Sequence, residues 1–371
     1  GFAMRFVHIS DLHLGKTFPV ARYGQLAARR RQELLDTFSR LIDYVNENQV
    51  DFILCSGDFL NSEELRVEEL RNINAIIDRL QRAVLVAISG NHDPQTENSA
   101  YQKIQWSRRL YLVPPGVGRV ALSSYKTIIT YHSWDTKEIL ELPQQLSEIR
   151  PQNGGSYQIL MLHADTQNPN SRYLPVDAGA LAAKGFDYVA LGHIHQHQCP
   201  AENVCYAGSL EPLDFGETGE HGFMLVEMEG ERRRFQFIPF ARREYRTIQV
   251  ETDAQDAEVA IARRIGAAIL RQDPRHIYTV ELTGSHPDAA GWDLERIEEQ
   301  LRAQEYCCQL IDNTRPAYQL EQLYRENRGN LLGDFIEAFQ GRELTELEQR
   351  ALELGIETLR AQGPAAKEGE R

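Results

Sequence analysis

Long apolar stretches are missing from this 371-residue chain: no run of about 18 apolar residues occurs, which argues against a membrane-spanning helix and a membrane partner. Nor does a charged and then apolar leader open it, so export by the usual route is not expected, and Gly1-Phe2-Ala3 ahead of Met4 reads as an expression remnant. Cysteine is scarce. The five present, Cys55, Cys199, Cys205, Cys307 and Cys308, are odd in number and form no C-x-x-C pair, so they point to a reducing cytoplasm and not to a disulfide framework. Positive charge is also short, with a formal net charge of -14, which excludes a uniformly basic surface built to coat nucleic acid. The length exceeds what one core usually organises, so two or more domains are expected.

Against these absences stand five short motifs in one order: Asp11-Leu12-His13, Gly57-Asp58, Gly90-Asn91-His92-Asp93, His163, and Gly192-His193-Ile194-His195. Every one supplies a side chain able to hold a divalent metal, and none contains cysteine. Carboxylates mixed with neutral imidazoles suit manganese, iron or zinc, whereas calcium and magnesium avoid imidazole and structural zinc recruits thiolates. One ion can be held by Asp11, His13 and His195, the other by Asn91, His163 and His193. Asp58 is the natural bridge, because its two oxygens can each face an ion, and ions bridged in this way sit roughly 3.5 to 4 Å apart. Two dications, two aspartates and a bridging hydroxide leave a small positive excess, which favours an anionic phosphodiester. The motifs read as those of a two-metal phosphoesterase.

Placement adds a geometric argument. Residues 4–10, 51–56, 84–89, 157–162 and 188–191 are short apolar, β-branched or aromatic runs, so each motif begins where a strand is expected to end. Ligands and active sites collect at the carboxyl ends of such strands in α/β folds. Between the strands, apolar residues at helical spacing predict a helix over 25–48 and another over 63–82, giving a β-α-β-α-β opening. Strand-like runs follow at 118–123 and 126–132, and a hairpin over 222–240 turns through Glu229-Gly230-Glu231. The alternative for each single motif is an ordinary turn with satisfied histidines. Two further features take their plainer reading: His195-Gln196-His197-Gln198-Cys199 with Cys205 as an edge strand and not a zinc site, and His132-Ser133-Trp134 as a partly buried aromatic cluster and not a base-stacking surface.

The motif order resembles the calcineurin-like metallophosphoesterase superfamily, whose signature runs D-x-H, G-D, G-N-H-D or G-N-H-E, a lone H, then G-H-x-H. Asp11-Leu12-His13-Leu14-Gly15, together with Tyr206-Ala207-Gly208-Ser209-Leu210-Glu211-Pro212, makes the chain most similar to the SbcD and YhaO type of DNA-repair exonuclease. The resemblance implies a four-layer αββα sandwich over residues 4–245, a smaller α+β capping domain over 246–318, C-terminal helices over 319–362 and a disordered tail over 363–371. It makes Asp11, His13, Asp58 and His195 one metal set and Asp58, Asn91, His163 and His193 the other, with manganese as the expected pair of ions. It gives His92 the task of contacting the phosphate and protonating the departing oxygen, which a poor alkoxide leaving group requires. Asp93 either orients His92 or a ligand, or caps the turn before Pro94. One departure stands out. Some archaeal and eukaryotic members carry another histidine shortly after the bridging aspartate, where this chain runs Asp58-Phe59-Leu60-Asn61, so the balance of exonuclease and endonuclease action stays open.

DNA is the substrate implied, and arginine clusters are its candidate contacts. Arg29, Arg30 and Arg31 stand foremost, since they sit early in a helix where the macrodipole disfavours cations unless an anion is near. Their plain reading is a solvated face. Beyond residue 246 the ligand motifs stop and a small α+β pattern follows. In the tail, Leu331, Leu332, Phe335, Ile336 and Phe339 form one apolar face, and Leu344, Leu347, Ala351 and Leu354 continue at heptad spacing toward Leu359. Two amphipathic helices of this kind pack either on their own capping domain or on a partner. The resemblance implies an SMC-like, SbcC-type ATPase as that partner and leaves room for a homodimer. The rival readings are a phosphomonoesterase or cyclic-nucleotide or small-molecule phosphodiesterase on the same core, and a scaffold or tether subunit without catalysis.

Overall fold

The computed structural model describes residues 4–152, 156–288 and 291–362; Gly1-Phe2-Ala3 and the tail expected to be disordered, residues 363–371, lie outside the described residues. The chain divides into two compact units, one of residues 1–246 with 275–278, the other of 247–274 with 279–371.

The first unit is built on two six-stranded sheets. In one, β1 (Met4–Ile9), β2 (Phe52–Ser56), β3 (Val84–Ile88) and β4 (Leu110–Leu112) run parallel, flanked on the β1 side by the hairpin β11 (Gly222–Glu229) and β12 (Arg232–Pro239). The other has the order β5 (Gly116–Leu122), β6 (Thr127–Ser133), β7 (Tyr157–His163), β8 (Tyr188–Gly192), β10 (Val204–Tyr206), β9 (Gln198–Ala201), with β6, β7, β8 and β10 parallel. Strand alternation sends Phe6, Phe52, Leu54, Val86, Ile88 and Val226 from the first sheet against Ile129, Tyr131, Ile159, Met161, Tyr188 and Ala190 from the second. Burying each such large apolar side chain contributes about 2 kcal/mol, so this seam fixes the register of both sheets.

The outer faces are covered by helices. Besides the short α1 (Val20–Tyr23), the long α2 (Leu26–Glu47) buries Leu34, Phe38, Leu41, Ile42 and Val45 at helical spacing, and α3 (Val67–Asp78) buries Leu70, Ile73 and Ile77. On the second sheet, Leu160, Leu162, Val189, Leu191 and Tyr206 pack with Leu146 of α4 (Gln144–Ser147), Leu181 of α5 (Ala178–Ala182) and Phe186. The αββα sandwich follows. Because both faces of the central strands are covered, β2 and β8 are buried along their whole length and read as continuous apolar runs.

One expectation is corrected here. Cys199 and Cys205 are joined by a disulfide between the neighbouring strands β9 and β10, a pairing that spacing alone could not reveal because it depends on the hairpin register. The tail has the two expected helices, preceded by a third. The second unit holds the sheet β13 (Tyr245–Thr252), β14 (Ile277–Pro287), β15 (Cys308–Asp312), β16 (Arg315–Ala317), with α6 (Glu258–Gln272) and α7 (Leu294–Ala303), and then three helices, α8 (Leu320–Glu326), α9 (Leu331–Glu337) and α10 (Glu346–Ala361). These three share a core of Leu323, Leu332, Ile336, Leu352 and Ile356. The capping box of Thr345 and Glu348 starts α10 after Leu344, and Gly355 seats under the ring of Phe335. Leu352 and Ile356 are buried there, Leu344 and Leu359 pack against them, and Leu347 and Leu354 are exposed, with Leu331.

Candidate metal centre

Parallel strands deliver their carboxyl ends to one edge, and β1, β2, β3, β7 and β8 end in the five motif loops. The loops cross-link at the backbone: Asp11 N donates to Gly57 O at 3.0 Å, His13 N to Asp58 O at 3.0 Å, and His193 N to the Asp11 carboxylate at 3.1 Å. Asp11, His13, Asp58 and His193 all adopt positive φ (52, 46, 52 and 110°), a conformation rare for residues with a side chain and concentrated at functional sites. Approach is close enough to require glycine at Gly192, where a Cβ would lie 2.0 Å from Ser56 O, and at Gly90, where it would lie 2.4 Å from Asp58 Oδ1.

The side chains then converge. Asp58 Oδ2 lies 3.6 Å from His13 Nε2 and 3.3 Å from His163 Nε2, so one oxygen serves histidines of both expected sets. Asp11 Oδ1 is 3.9 Å from His13 Nε2 and 3.8 Å from His195 Nε2, and Asn91 Oδ1 is 2.8 Å from His163 Nε2. His193 stands beside this group, its ring 5.4 Å from that of His163 and its Nε2 3.7 Å from Asp165 Oδ2. Asp11, His13 and His195 form one ligand cluster and Asp11, Asp58 and His163 another, each with ligand atoms within 4.8 Å of one another.

Three rings have their other nitrogen held from behind, which aims Nε2 at the centre. His13 Nδ1 is 2.6 Å from Asn61 Oδ1, His163 Nδ1 is 2.9 Å from Ser56 O, and His195 Nδ1 is 3.1 Å from Glu217 Oε1. Asp11 Oδ1 and His13 Nε2 are buried and have no hydrogen-bond partner among the described residues. An orphaned carboxylate oxygen and an orphaned imidazole nitrogen in one buried spot are costly unless something accepts both lone pairs, and a divalent cation does. The donor set fits divalent metal.

Electrostatics point the same way. Burial opposes a charged His163, yet the Asp58 and Asp11 carboxylates raise it to about 9; burial likewise opposes His195, which Glu217 and Asp11 raise to about 9. Burial lowers His13 to about 3 and, with the His163 charge, His193 to about 4. Burial raises Asp11, whereas for Asp58 the His163, His13 and His92 charges overcome burial and hold it below the usual carboxylate range. The pocket draws positive charge to its two carboxylates.

His92 is exposed at the rim, its ring 5.0 Å from that of His13 and its backbone N–H 2.9 Å from Asp58 Oδ1. It helps line a cleft of about 630 Å³ together with Asn61, Asn91, Lys103 and Tyr173. Asp93, expected to orient His92 or a ligand or to cap the turn, braces the loop of the ligand Asp58. Fully buried, it accepts the backbone N–H groups of Asp58 (3.0 Å), Phe59 (3.0 Å), Leu60 (3.3 Å) and Gly90 (2.7 Å) and the Tyr101 hydroxyl (2.5 Å). Its carboxylate thereby clamps the Asp58 loop to the Asn91 loop. Burial and the Asp58 charge raise it to about 6.

The arginine expectation is corrected as well. Arg30 is wholly buried, donating to Glu33 (2.8 Å), Glu211 (3.0 Å) and Pro212 O (2.7 Å), and Arg31 is engaged by Glu69, Gly15 O and Glu64 O. Arg30 cannot reach a solvent-borne phosphate; Arg31 is partly exposed and Arg29 exposed. The helix dipole was a poor guide to Arg30 because Glu33 one turn along the helix and the distant Glu211 neutralise the buried cation. Asn61, Glu217, Tyr101 and Asp165 went unrecognised. Asp165 stands two residues after His163, but nothing in the stretch around Glu217 marks it as a partner for His195. The alternative zinc reading at Cys199 and Cys205 does not arise, since their sulfurs are bonded to each other, and Trp134 is buried with its indole N–H on His163 O at 2.9 Å.

Comparison with known proteins gives three informative relatives and a family. The model of the calcineurin-like phosphoesterase family matches residues 4–197. An uncharacterized metallophosphoesterase, YhaO of Bacillus subtilis, is 27% identical over 247 residues, 61% of this chain and 57% of that protein. The DNA double-strand break repair protein Mre11 of Methanopyrus kandleri is 24% identical over 341 residues, covering 84% of this chain and 71% of that one. Mre11 of Sulfurisphaera tokodaii is 30% identical over 283 residues, 69% of this chain and 67% of its own length. This chain thus spans little more than half of YhaO.

Proposed function

The chain belongs to the calcineurin-like phosphoesterase family, and on that footing we propose that it is a metal-dependent DNA phosphodiesterase of repair, working with two divalent ions, manganese foremost. The observation that carries the reading is Asp58 Oδ2 set between His13 and His163, with the orphaned Asp11 Oδ1 and His13 Nε2 beside it. Asp11, His13, Asp58 and His195 would hold one ion and Asp58, Asn91, His163 and His193 the other. Bound there, the ions would supply Lewis acidity toward water and phosphate. DNA as the substrate draws support from the two Mre11 relatives, which are DNA double-strand break repair proteins.

The chain's own residues supply the rest. His92, at the rim and tethered through its backbone to Asp58, would donate a proton to the departing sugar oxygen as the P–O bond breaks. Asn61, Ser56 and Glu217 keep three imidazoles oriented, and Asp93 keeps the two ligand loops in register. The second unit is proposed as a capping domain that positions DNA. The outward Leu331, Leu347 and Leu354 of its C-terminal helices favour a partner there, an SMC-like ATPase in this reading. Among the described residues no helix is long and apolar enough to cross a membrane.

The decisive assay compares wild type and His92→Ala across divalent metals on labelled duplex DNA, single-stranded DNA and a chromogenic diester. Manganese-supported DNA hydrolysis is expected, with the variant binding metal normally and losing about 10²–10⁴ in turnover. Hydrolysis confined to small esters would refute the nuclease reading.

A further inference from the structure

The cleft in front of His92 carries a charge arrangement that the metal centre does not use. Its lining includes Glu63, Glu64, Glu138, Lys103 and Lys137. Lys137 is paired with Glu63 at 2.5 Å, Glu138 with Arg172 at 2.8 Å, and Glu64 accepts the backbone N–H of Thr17 at 2.5 Å. Lys103 has no carboxylate or backbone acceptor at its ammonium among the described residues, and it is exposed toward the cleft.

Its support is stiff. Lys103 directly follows the helical turn Ala100–Gln102, and its N–H bonds Ala100 O at 3.2 Å. Within that turn Tyr101 is buried, its hydroxyl on Asp93 and its carbonyl accepting the Trp106 indole N–H at 2.9 Å. Asp93 in turn grips the backbone of Asp58 and Gly90. A continuous run of hydrogen bonds therefore sets the Lys103 backbone relative to the ligand loops, while four rotatable side-chain bonds leave the ammonium free to meet an anion. At about 630 Å³ the cleft has room for more than the reacting phosphate alone.

We propose that this cleft is the subsite for the departing side of the DNA strand, and that Lys103 is a specificity residue that contacts the next phosphate beyond the scissile one. The assignment rests on the nuclease reading, in which His92 faces the leaving oxygen and so marks the side of the centre on which the cleft lies. Lys103 adds nothing to the bond-breaking step; it lets the enzyme tell a polynucleotide from a small diester.

The test compares two substrates in the metal-loaded full chain: a nitrophenyl nucleotide diester, whose leaving group carries no further phosphate, and a single-stranded oligonucleotide whose departing portion does. In Lys103→Ala the ratio of kcat/KM for oligonucleotide over nitrophenyl ester should fall about tenfold, mainly through KM, since a charge-assisted contact is lost. The salt dependence of oligonucleotide kcat/KM should lose about 0.7 in logarithmic slope, the share of one single-strand phosphate. Lys103→Arg should keep both, and Lys103→Glu should exceed the alanine loss. An unchanged substrate ratio, or equal losses on both substrates with an unaltered salt slope, overturns the assignment while leaving the nuclease reading intact. Wild type that cleaves the nitrophenyl ester but no oligonucleotide refutes the nuclease reading and the Lys103 assignment with it.

Discussion

Replacing Asp93 with asparagine separates a residue that takes part in catalysis from one that holds the site together. Its Oδ1 accepts two backbone N–H groups, those of Asp58 and Gly90, and its Oδ2 accepts those of Phe59 and Leu60 and the Tyr101 hydroxyl. Asparagine is nearly isosteric but has one acceptor oxygen. With its NH₂ at the Oδ2 position, Tyr101 can rotate to accept, yet the Phe59 and Leu60 amides then face a donor. With the amide flipped, the Asp58 and Gly90 amides do. Either way two buried N–H groups lose a charged acceptor, each loss costing about 1.5–3 kcal/mol, or ~3–6 kcal/mol in all. The strain falls on the loop of Asp58 and the loop of Asn91, so metal affinity should drop by about 10–100-fold, as when other residues supporting metal ligands are lost. Titration calorimetry with manganese and urea denaturation of metal-free protein measure the two effects. An Asp93→Asn variant that binds metal like wild type, denatures like wild type and yet fails to turn over would refute the clamp and return Asp93 to the chemistry.

Two further outcomes follow from buried charge. Glu211→Ala should destabilise the first unit by about 3–5 kcal/mol in urea denaturation, because it strips one carboxylate from a wholly buried Arg30, and Arg30→Met with Glu211→Leu should recover most of it; additive losses in the double variant would contradict the ion-pair account. His163 and His195, raised to about 9 from 6.5, are protonated in metal-free protein near neutrality, and ligation demands neutral imidazole, so metal binding should release protons and tighten as pH rises toward 9. The stability these two histidines lend the metal-free fold is complete below about 6.5 and fades as pH passes through about 9. Calorimetry in buffers of different ionisation enthalpy reads the release directly, and a signal independent of buffer would disprove it.

Short apolar runs and helical spacing made the strands and the α2 stripe readable from the chain, because both are local patterns that survive folding unchanged, while the four-layer arrangement came from the family resemblance. Loop chemistry at the strand ends was readable for a similar reason: Gly192 and Gly90 precede ligands in short motifs, Gly192 because the backbone of Ser56 comes close and Gly90 because the side chains of Asp58 and His163 do. What stayed hidden depends on partners far along the chain. Arg30 meets Glu211 across 181 residues, and Glu217 reaches His195 from a stretch with no periodicity. The Cys199–Cys205 bond follows from a hairpin register that composition does not encode. In the tail, the two helices were legible from their spacing, but the face α10 buries, through Leu352 and Ile356, is set by its contact with α8 and α9 and not by the chain pattern.

The positive φ values at Asp11, His13, Asp58 and His193 follow from the same convergence. Each costs of order 1–3 kcal/mol, and a loop would relax out of it unless neighbouring structure made the relaxed form worse. Here the restraint is protein, not ligand: Asp11 N and His13 N are bonded to the Asp58 loop, His193 N to Asp11, Ser56 Oγ to Ala190 O across the two sheets, and Ser10 Oγ to Gly208 O. These bonds join loops from both sheets at the edge of the seam where Phe6, Phe52 and Tyr188 are packed. Strain at the ligands is thus offset by the core of the sandwich. If the centre takes metal as proposed, donors held by the fold in this way would give charge stabilisation with little reorganisation during the reaction.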